Sequence, residues 1–515
     1  MLYSRITYSV RLDSVCSETF NSLIGILAGD PASPQLWNLY MSDFDPPSHV
    51  ADITLSGISI ANTEQADDMA LFSTDALAVQ GKMNYVYKWG AKKFLQIHKV
   101  KTVGMAYHLK PSQPLPIITL AGTPLSWVST YTYVGVTFSN IGKNIFAKHY
   151  DEKSRKARCV AGATLGLESY IGVVPPKQGK QLYMARIDPH LTFGCEVVID
   201  VQNSGLKQLQ NVQHTYIRRM LRLNPRSMRA ILHTETGIMP IAYRRVLLAL
   251  KYLIYLTSLP NNHYARCALQ EAINLSENSA QSWYTELVQA IEKLQERAKI
   301  NVTLPVLSGQ MSNQEILDLI KAIEHMCDAY LQVLIDKSPK TELLRGRLER
   351  DDKGNYIVKT MHFRHYLYVK IPRHWMALTG LLLSDNILAM EQLRRATRNR
   401  PRYPQHLRIC RLCKNDIEDP IHALFVCIGS EQLISLRKQF IKDLISKASY
   451  LKTSQCMANP KELFECIYAD KRLVETLARY AFRMLKIFNA VPLFLPDLPD
   501  HLSDTDAENS SDESD

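Results

Sequence analysis

Between Val50 and Phe72 apolar and polar positions alternate in short runs, interrupted at Ser56-Gly57 and again at Ala66-Asp67-Asp68. A period of two puts successive side chains on opposite faces, so this stretch is expected to form short strands joined by tight turns. After Phe138 the period lengthens. Lys148–Leu165, Gln178–Asp200 (broken at Asp188-Pro189) and Leu206–Leu223 carry apolar residues at helical spacing. Further on, Leu287, Ile291 and Leu294 share one face, and Ser312 and Glu315 form a capping box ahead of Ile316, Leu319, Ile320 and Ile323. Strands followed by helices indicate an α+β chain. Its expected parts are a strand-and-helix region over 1–140, helical regions over 141–260 and 261–350, a last domain over 351–490 entered through the turn at 351–355, and an acidic tail over 491–515.

Composition narrows the classes. With 515 residues, 46% hydrophobic and 22% charged, the chain can bury more than one core. The formal net charge is +11, but Asp497–Asp515 holds eight acidic residues and no Lys or Arg, leaving +19 on residues 1–496. Such an excess suits a polyanion, and nucleic acid is the expected partner. Ten scattered cysteines suggest no small disulfide scaffold, the N-terminus does not read as a signal peptide, and the most apolar run, Val246–Leu256, contains Lys251 and is too short to span a bilayer. An intracellular, soluble protein is expected, with the tail from Asp497 disordered.

The candidate chemistry starts at Asp67 and Asp68, which precede Met69-Ala70-Leu71-Phe72. Two-metal nucleotidyl transfer needs hard oxygen ligands on Mg²⁺ or Mn²⁺, and adjacent carboxylates at a hairpin tip supply part of that set; the same dipeptide also occurs in plain solvated turns. Upstream, Gly29-Asp30-Pro31 and Ser33-Pro34 form a turn running into an amphipathic helix, where a glycine lets backbone approach a ligand and a helix start offers N–H groups to phosphate. Downstream stand a Trp89-bearing helix, Lys101-Thr102 at the start of a strand, and Tyr131-Thr132-Tyr133-Val134-Gly135.

Gly29-Asp30-Pro31 with Ser33-Pro34, then Gln65-Ala66-Asp67-Asp68, Trp89, Lys101 and Tyr133-Val134-Gly135, resembles the reverse transcriptases of non-LTR (LINE-like) retrotransposons, particularly the fungal form. The resemblance implies a partial polymerase palm over 1–140 and a helical thumb-like region over 141–260. Asp67 and Asp68 would be metal-site carboxylates, with Asp67 a direct ligand, and Lys101 a residue relieving charge on the leaving diphosphate; a solvated strand-edge lysine is the plain alternative. Gly29, Asp30, Pro31, Ser33, Tyr133 and Gly135 would contact nucleotide or template. A further Asp in this family lies on a strand well upstream of the glycine turn, whereas only twenty-eight residues precede Gly29 and Asp13 reads as a hairpin residue. The expectation is therefore an N-terminally truncated, inactive polymerase, the alternative being a non-enzymatic RNA- or DNA-binding retroelement remnant. The resemblance also implies a nuclear location and an RNA template with a DNA primer or target.

Two further groups stand out. Arg218, Arg219 and Arg222, and Arg394, Arg395 and Arg398, would follow a phosphate path if they share faces, or simply solvate them. Cys410, Cys413, His422 and Cys427 follow the pattern C-x2-C-x8-H-x4-C. A tight Cys-x2-Cys turn aims two thiolates at one point, and His with a nearby Cys can close the tetrahedron that a structural Zn²⁺ requires; three unrelated buried cysteines and a surface histidine are the alternative. The pattern resembles the C-terminal zinc knuckle of LINE-type proteins.

Overall fold

The computed structural model describes residues 6–21, 25–27, 29–108, 114–300, 302–350, 355–357, 359–398, 400–452 and 455–497. The turn residues at 351–354 and the acidic tail beyond 497 lie outside these. The chain is mixed helix and strand, with strands concentrated before residue 140 and helices after it, as the change of period indicates. It divides into two compact units, Met1–His149 with Tyr255–Tyr284, and Tyr150–Ile254 with Thr285–Asp515. The region expected over 261–350 is thus shared between them. Helix Tyr264–Glu277 belongs with the first because it packs on strand Ile53–Leu55, where the Ser56 hydroxyl donates to the Cys267 carbonyl at 3.2 Å.

In the first unit the expected strands are present, but among the described residues they pair only two by two instead of forming one sheet. Three hairpins carry the alternating segments. Ile53–Leu55 pairs with Ile58–Ile60, Asn62–Gln65 with Asp68–Leu71, and Thr130–Tyr133 with Val136–Ser139, all antiparallel. Ser56-Gly57 and Val134-Gly135 turn with positive φ at both residues (48° and 83°, 46° and 78°). That conformation matches the right-handed strand twist and favours glycine at the second position. Asp13, at φ 53°, lies in the tight turn between Arg11–Leu12 and Val15–Cys16.

Helix Ala76–Lys92, capped by the Asp75 carboxylate accepting from the Ala78 N–H at 2.9 Å, joins the first two hairpins. Its Lys82, 1% exposed, reaches into their ends. There it donates to the Phe72 carbonyl at 2.6 Å and the Ala61 carbonyl at 3.3 Å, and pairs with the buried Asp52 carboxylate. One buried ammonium group thus links the Asp52 carboxylate to the Phe72 carbonyl and to the Ala61 carbonyl, which also accepts the Phe72 N–H at 3.0 Å.

The second unit is helical. Asn203–Met220, Arg229–Thr236, Asn313–Lys337, Pro372–Leu382 and Lys471–Asn489 are its principal members, and Ser312 and Glu315 form the expected capping box. At Asp188-Pro189 the helix adjusts instead of ending. Pro189 has no N–H to give, and Tyr183–Ile187 widens into a π-turn closed by the Asp188 N–H on the Tyr183 carbonyl before Asp188–Thr192 continues. A buried polar network ties distant helices. Glu235, fully buried, accepts from Arg347 Nη1 at 2.8 Å and Tyr366 Oη at 3.0 Å, while Glu349 takes Arg364 Nη1 at 3.2 Å, the His365 ring at 3.0 Å and Tyr468 Oη at 3.2 Å. Burial by itself would raise the Glu349 carboxyl, yet the hydrogen bond and charge of His365, with Arg364, hold it at about 2.

No helix among the described residues is long and apolar enough to cross a membrane.

Candidate functional site

The acid pair sits where the alternation places it, at a hairpin tip. Ala66 takes φ 56°, Asp67 lies in the turn, Asp68 opens the returning strand opposite Gln65, and both carboxylates are exposed. Beside this tip stands Tyr133. Its hydroxyl is 3.4 Å from Thr63 Oγ1 and donates at 3.5 Å to the Asp68 carbonyl, so the Tyr133-Val134-Gly135 turn and the acid hairpin meet although they are far apart in sequence.

The other members of the sequence-derived set hold more local positions. Gly29 has φ 87° and open space where a Cβ would stand, so its backbone angle is what calls for glycine. The Asp30 carboxylate accepts from the Ala32 N–H at 3.2 Å and Pro31 is exposed, but the Ser33 hydroxyl is buried and donates to the Leu27 carbonyl at 2.6 Å, which commits it to holding the turn. The helix that follows, Ser33–Met41, leads to Asp43, which pairs with Lys93 at 2.7 Å and accepts from Trp89 Nε1 at 3.3 Å. The Trp89-bearing helix therefore anchors the chain just beyond the C-terminal end of Ser33–Met41. Lys101 is exposed in a turn, its N–H donating to the His98 carbonyl at 3.1 Å, just ahead of strand Val103–Gly104. That strand runs parallel to Ser126–Trp127, and Gly104 is obligatory there, since a Cβ would lie 2.9 Å from the Trp127 ring.

Among the described residues, the only group of three or more His, Cys, Asp or Glu able to close on a metal ion is the one predicted from spacing. The ligand atoms of Cys410, Cys413, His422 and Cys427 all lie within 4.8 Å of one another. Cys410 Sγ is 3.6 Å from Cys427 Sγ, and Cys413 Sγ is 3.5 Å from His422 Nε2. A π-turn over His422–Val426 brings His422 and Cys427 to the same side, with the Cys427 N–H closing on the His422 carbonyl at 2.8 Å. The hydrogen bond between the two sulfurs raises the Cys410 thiol to about 12 and lowers that of Cys427. Burial disfavours the imidazolium, but the facing sulfurs of Cys410 and Cys413 raise the His422 pKa. Four soft or borderline donors converging from a closed turn fit a structural Zn²⁺ and leave no position for a reactive water. Asp67 and Asp68 are not part of such a group of three or more His, Cys, Asp or Glu among the described residues.

What fixes the cluster are residues outside the ligand pattern. Arg411, inside the Cys-x2-Cys turn, is buried and points away from the sulfurs toward Glu418, which is 0% exposed. Its Nη2 donates to Glu418 Oε1 at 2.7 Å and to the Ile387 carbonyl at 2.6 Å, and its Nη1 to the Phe488 and Val491 carbonyls, both at 3.1 Å. Glu418 also accepts the Arg411 N–H and the Ala389 N–H, both at 2.7 Å. From the other side Arg437 donates to the Leu424 and Cys427 carbonyls at 2.8 and 2.9 Å. Gly429 closes the fit, because a Cβ there would stand 2.3 Å from the Leu412 carbonyl carbon. The available signal was an Arg and a Glu seven apart inside an otherwise ligand-spaced motif.

The arginines divide. Arg218 is spent on Ser227, with Nε to Oγ at 3.1 Å and Nη2 to the carbonyl at 2.8 Å; Arg222 pairs with Glu168 at 2.6 Å and Arg394 with Glu391 at 2.8 Å. Arg395 is half-buried, whereas Arg219 and Arg398 are exposed.

No family model matches the chain. Over 217 residues, 41% of its length, it is 23% identical to the probable RNA-directed DNA polymerase from transposon X-element of Drosophila melanogaster, and the match spans 23% of that protein. In part of its length, then, the chain is similar to a transposon RNA-directed DNA polymerase.

Proposed function

We propose that this chain is a nucleic-acid-binding, reverse-transcriptase-like protein of a LINE-like retroelement, with a partial palm built on the acid hairpin and a zinc knuckle at Cys410–Cys427. The observation that carries the reading is the meeting of Tyr133 with the Asp68 backbone and Thr63 on the acid hairpin, in a chain partly similar to a transposon polymerase. In this reading Asp67 and Asp68 face the primer end and Lys101 the diphosphate, while RNA template and DNA are held by the basic helical unit. On this view polymerase activity by this chain alone is absent or very low, since an under-coordinated metal pair costs several kcal/mol in the transition state.

The test combines binding and primer extension. Expected are salt-sensitive binding of single-stranded RNA or DNA, weakened when Cys413→Ser opens the knuckle, and extension on an RNA template at background with Mg²⁺ or Mn²⁺. Robust synthesis abolished by Asp67→Asn would show the site to be complete. Failure to bind any nucleic acid at moderate salt would overturn the reading as a whole.

A further inference from the structure

The arginine-rich stretch leading into Cys410 is the obvious nucleic-acid arm in the sequence, but part of it is occupied by the fold. Arg394 pairs with Glu391, Arg400 Nη2 donates to the Gln392 carbonyl, and Arg408 donates to the Tyr403 carbonyl at 3.0 Å. The opposite holds for the last helix, which no motif marks. On Lys471–Asn489 the positions 479, 482, 483 and 486 fall on one stripe and hold Arg, Phe, Arg and Lys, and helix Pro372–Leu382, packed against it, adds Arg373. Arg373, Lys486 and the neighbouring His374 converge on the Phe482 ring. The Arg373 guanidinium lies 5.4 Å and the Lys486 ammonium 5.0 Å from its centroid, and the His374 ring is 5.4 Å away.

The stripe is short of counter-charge. Arg479 pairs with Asp443 at 2.9 Å and Glu475 stands one turn earlier, but Arg373, Arg483 and Lys486 are exposed and have no carboxylate partner among the described residues. His374 is 6% exposed, its Nδ1 is buried without a hydrogen-bond partner, and its proton affinity is lowered first by burial and then by Arg373, Arg479 and Arg483. Two unpaired cations held over one aromatic ring, with a third, Arg483, on the next position of the same helix, form a preorganised anion site on two packed helices. A helix face that served only solubility would intersperse acids with these cations, as the Asp470–Arg472 pair does at the start of the same helix.

We propose that Arg373 and Lys486, held over Phe482, together with the exposed Arg483 beside them, dock the phosphodiester backbone of a single nucleic-acid strand. This rests on the nucleic-acid-binding reading above and moves the principal contact from the arginines before Cys410 to the stripe on the last helix. Each cation neutralises a backbone phosphate, and the ring edge lies within reach of an unstacked base.

The test uses the full chain and a short labelled single-stranded RNA, with affinity measured by fluorescence anisotropy over a salt series. The triple variant R373Q/R483Q/K486Q should weaken binding by at least about tenfold and flatten the slope of log affinity against log salt by about 2, since each phosphate that is no longer neutralised takes away roughly 0.7. Amide exchange over residues 372–382 and 471–489 should stay at the wild-type level, since all three heads are exposed. Arg398→Gln, exposed on the arm, should leave the slope unchanged, where the loss of one phosphate contact would lower it by roughly 0.7. Equal affinity in the triple variant of a wild-type chain that binds RNA would overturn this inference and leave the general reading standing. Tighter binding would also overturn it, by showing that the stripe holds an acidic segment such as the chain's own tail. A wild-type chain that binds no RNA would overturn both.

Discussion

Glu418→Ala is the sharpest probe of how the Cys/His cluster is built. In the native chain this 0% exposed carboxylate accepts from Arg411 Nε at 3.1 Å and Nη2 at 2.7 Å, and from the Arg411 and Ala389 backbone N–H groups. Removing it leaves a guanidinium that is 5% exposed without a counter-charge and strands two buried N–H donors. Breaking a buried ion pair from one side costs about 3–5 kcal/mol, and unsatisfied buried donors cost about 1–3 kcal/mol each, part of which the first figure already contains. A loss of about 3–5 kcal/mol corresponds to roughly a hundred- to several-thousand-fold faster local opening. Because the chain has two units, a single global unfolding curve would blend them. The suitable assay is amide hydrogen exchange on the metal-loaded chain, read over residues 408–430 and 485–491. Both segments should lose protection together, because Arg411 ties the Cys-x2-Cys turn to the Phe488 and Val491 carbonyls. Removing both partners, Arg411→Met with Glu418→Leu, should not restore stability, since those carbonyls and the two N–H groups remain unmet. Exchange within threefold of wild type in Glu418→Ala, or full recovery in the double variant, would refute the argument.

Three other outcomes follow from the same structure. Gly429→Ala should lower Zn²⁺ affinity by at least about tenfold in a chelator competition, because the new methyl meets backbone at 2.3–2.4 Å and must push the Cys413 turn aside; unchanged affinity would mean that the turn yields freely. Lys82→Met leaves the Asp52 carboxylate, 7% exposed, without its cation and should destabilise the first unit by about 3 kcal/mol in urea titrations followed at Trp89. His214 and His233 face each other at 3.4 Å; burial, the other ring and Arg218 and Arg229 hold His214 at about 2, while burial, with Arg218, holds His233 at about 4. Both are depressed from an ordinary 6.5, so the neutral pair is fully stabilising above that value and its contribution is lost as pH falls from 6.5 toward about 4. Denaturant midpoints of the second unit should fall through that window, and less so in His233→Gln.

Local pattern determined much of this protein. The period-two run with Ser56-Gly57 and Ala66-Asp67 specified two hairpins, because turn chemistry and alternation act between neighbours in the chain, whereas Thr130–Phe138, which reads as one short strand, folds back at Val134-Gly135 into a third. The ligand spacing specified the Cys/His cluster for the same reason, since a Cys-x2-Cys turn and a nearby His and Cys need little beyond their own segment to converge. Tertiary structure decided everything that depends on which distant group meets which. It put Tyr133 against the Asp68 carbonyl, Lys82 among the hairpin ends, Arg411 under the cluster instead of at the surface, and Arg218 and Arg394 into internal pairs while Arg373, Arg483 and Lys486 stayed exposed. An arginine in a sequence carries the same charge whether a buried carboxylate or solvent faces it. Only the packed chain sets the burial and the partner, and with them the difference between a structural ion pair and a cation available to a phosphate.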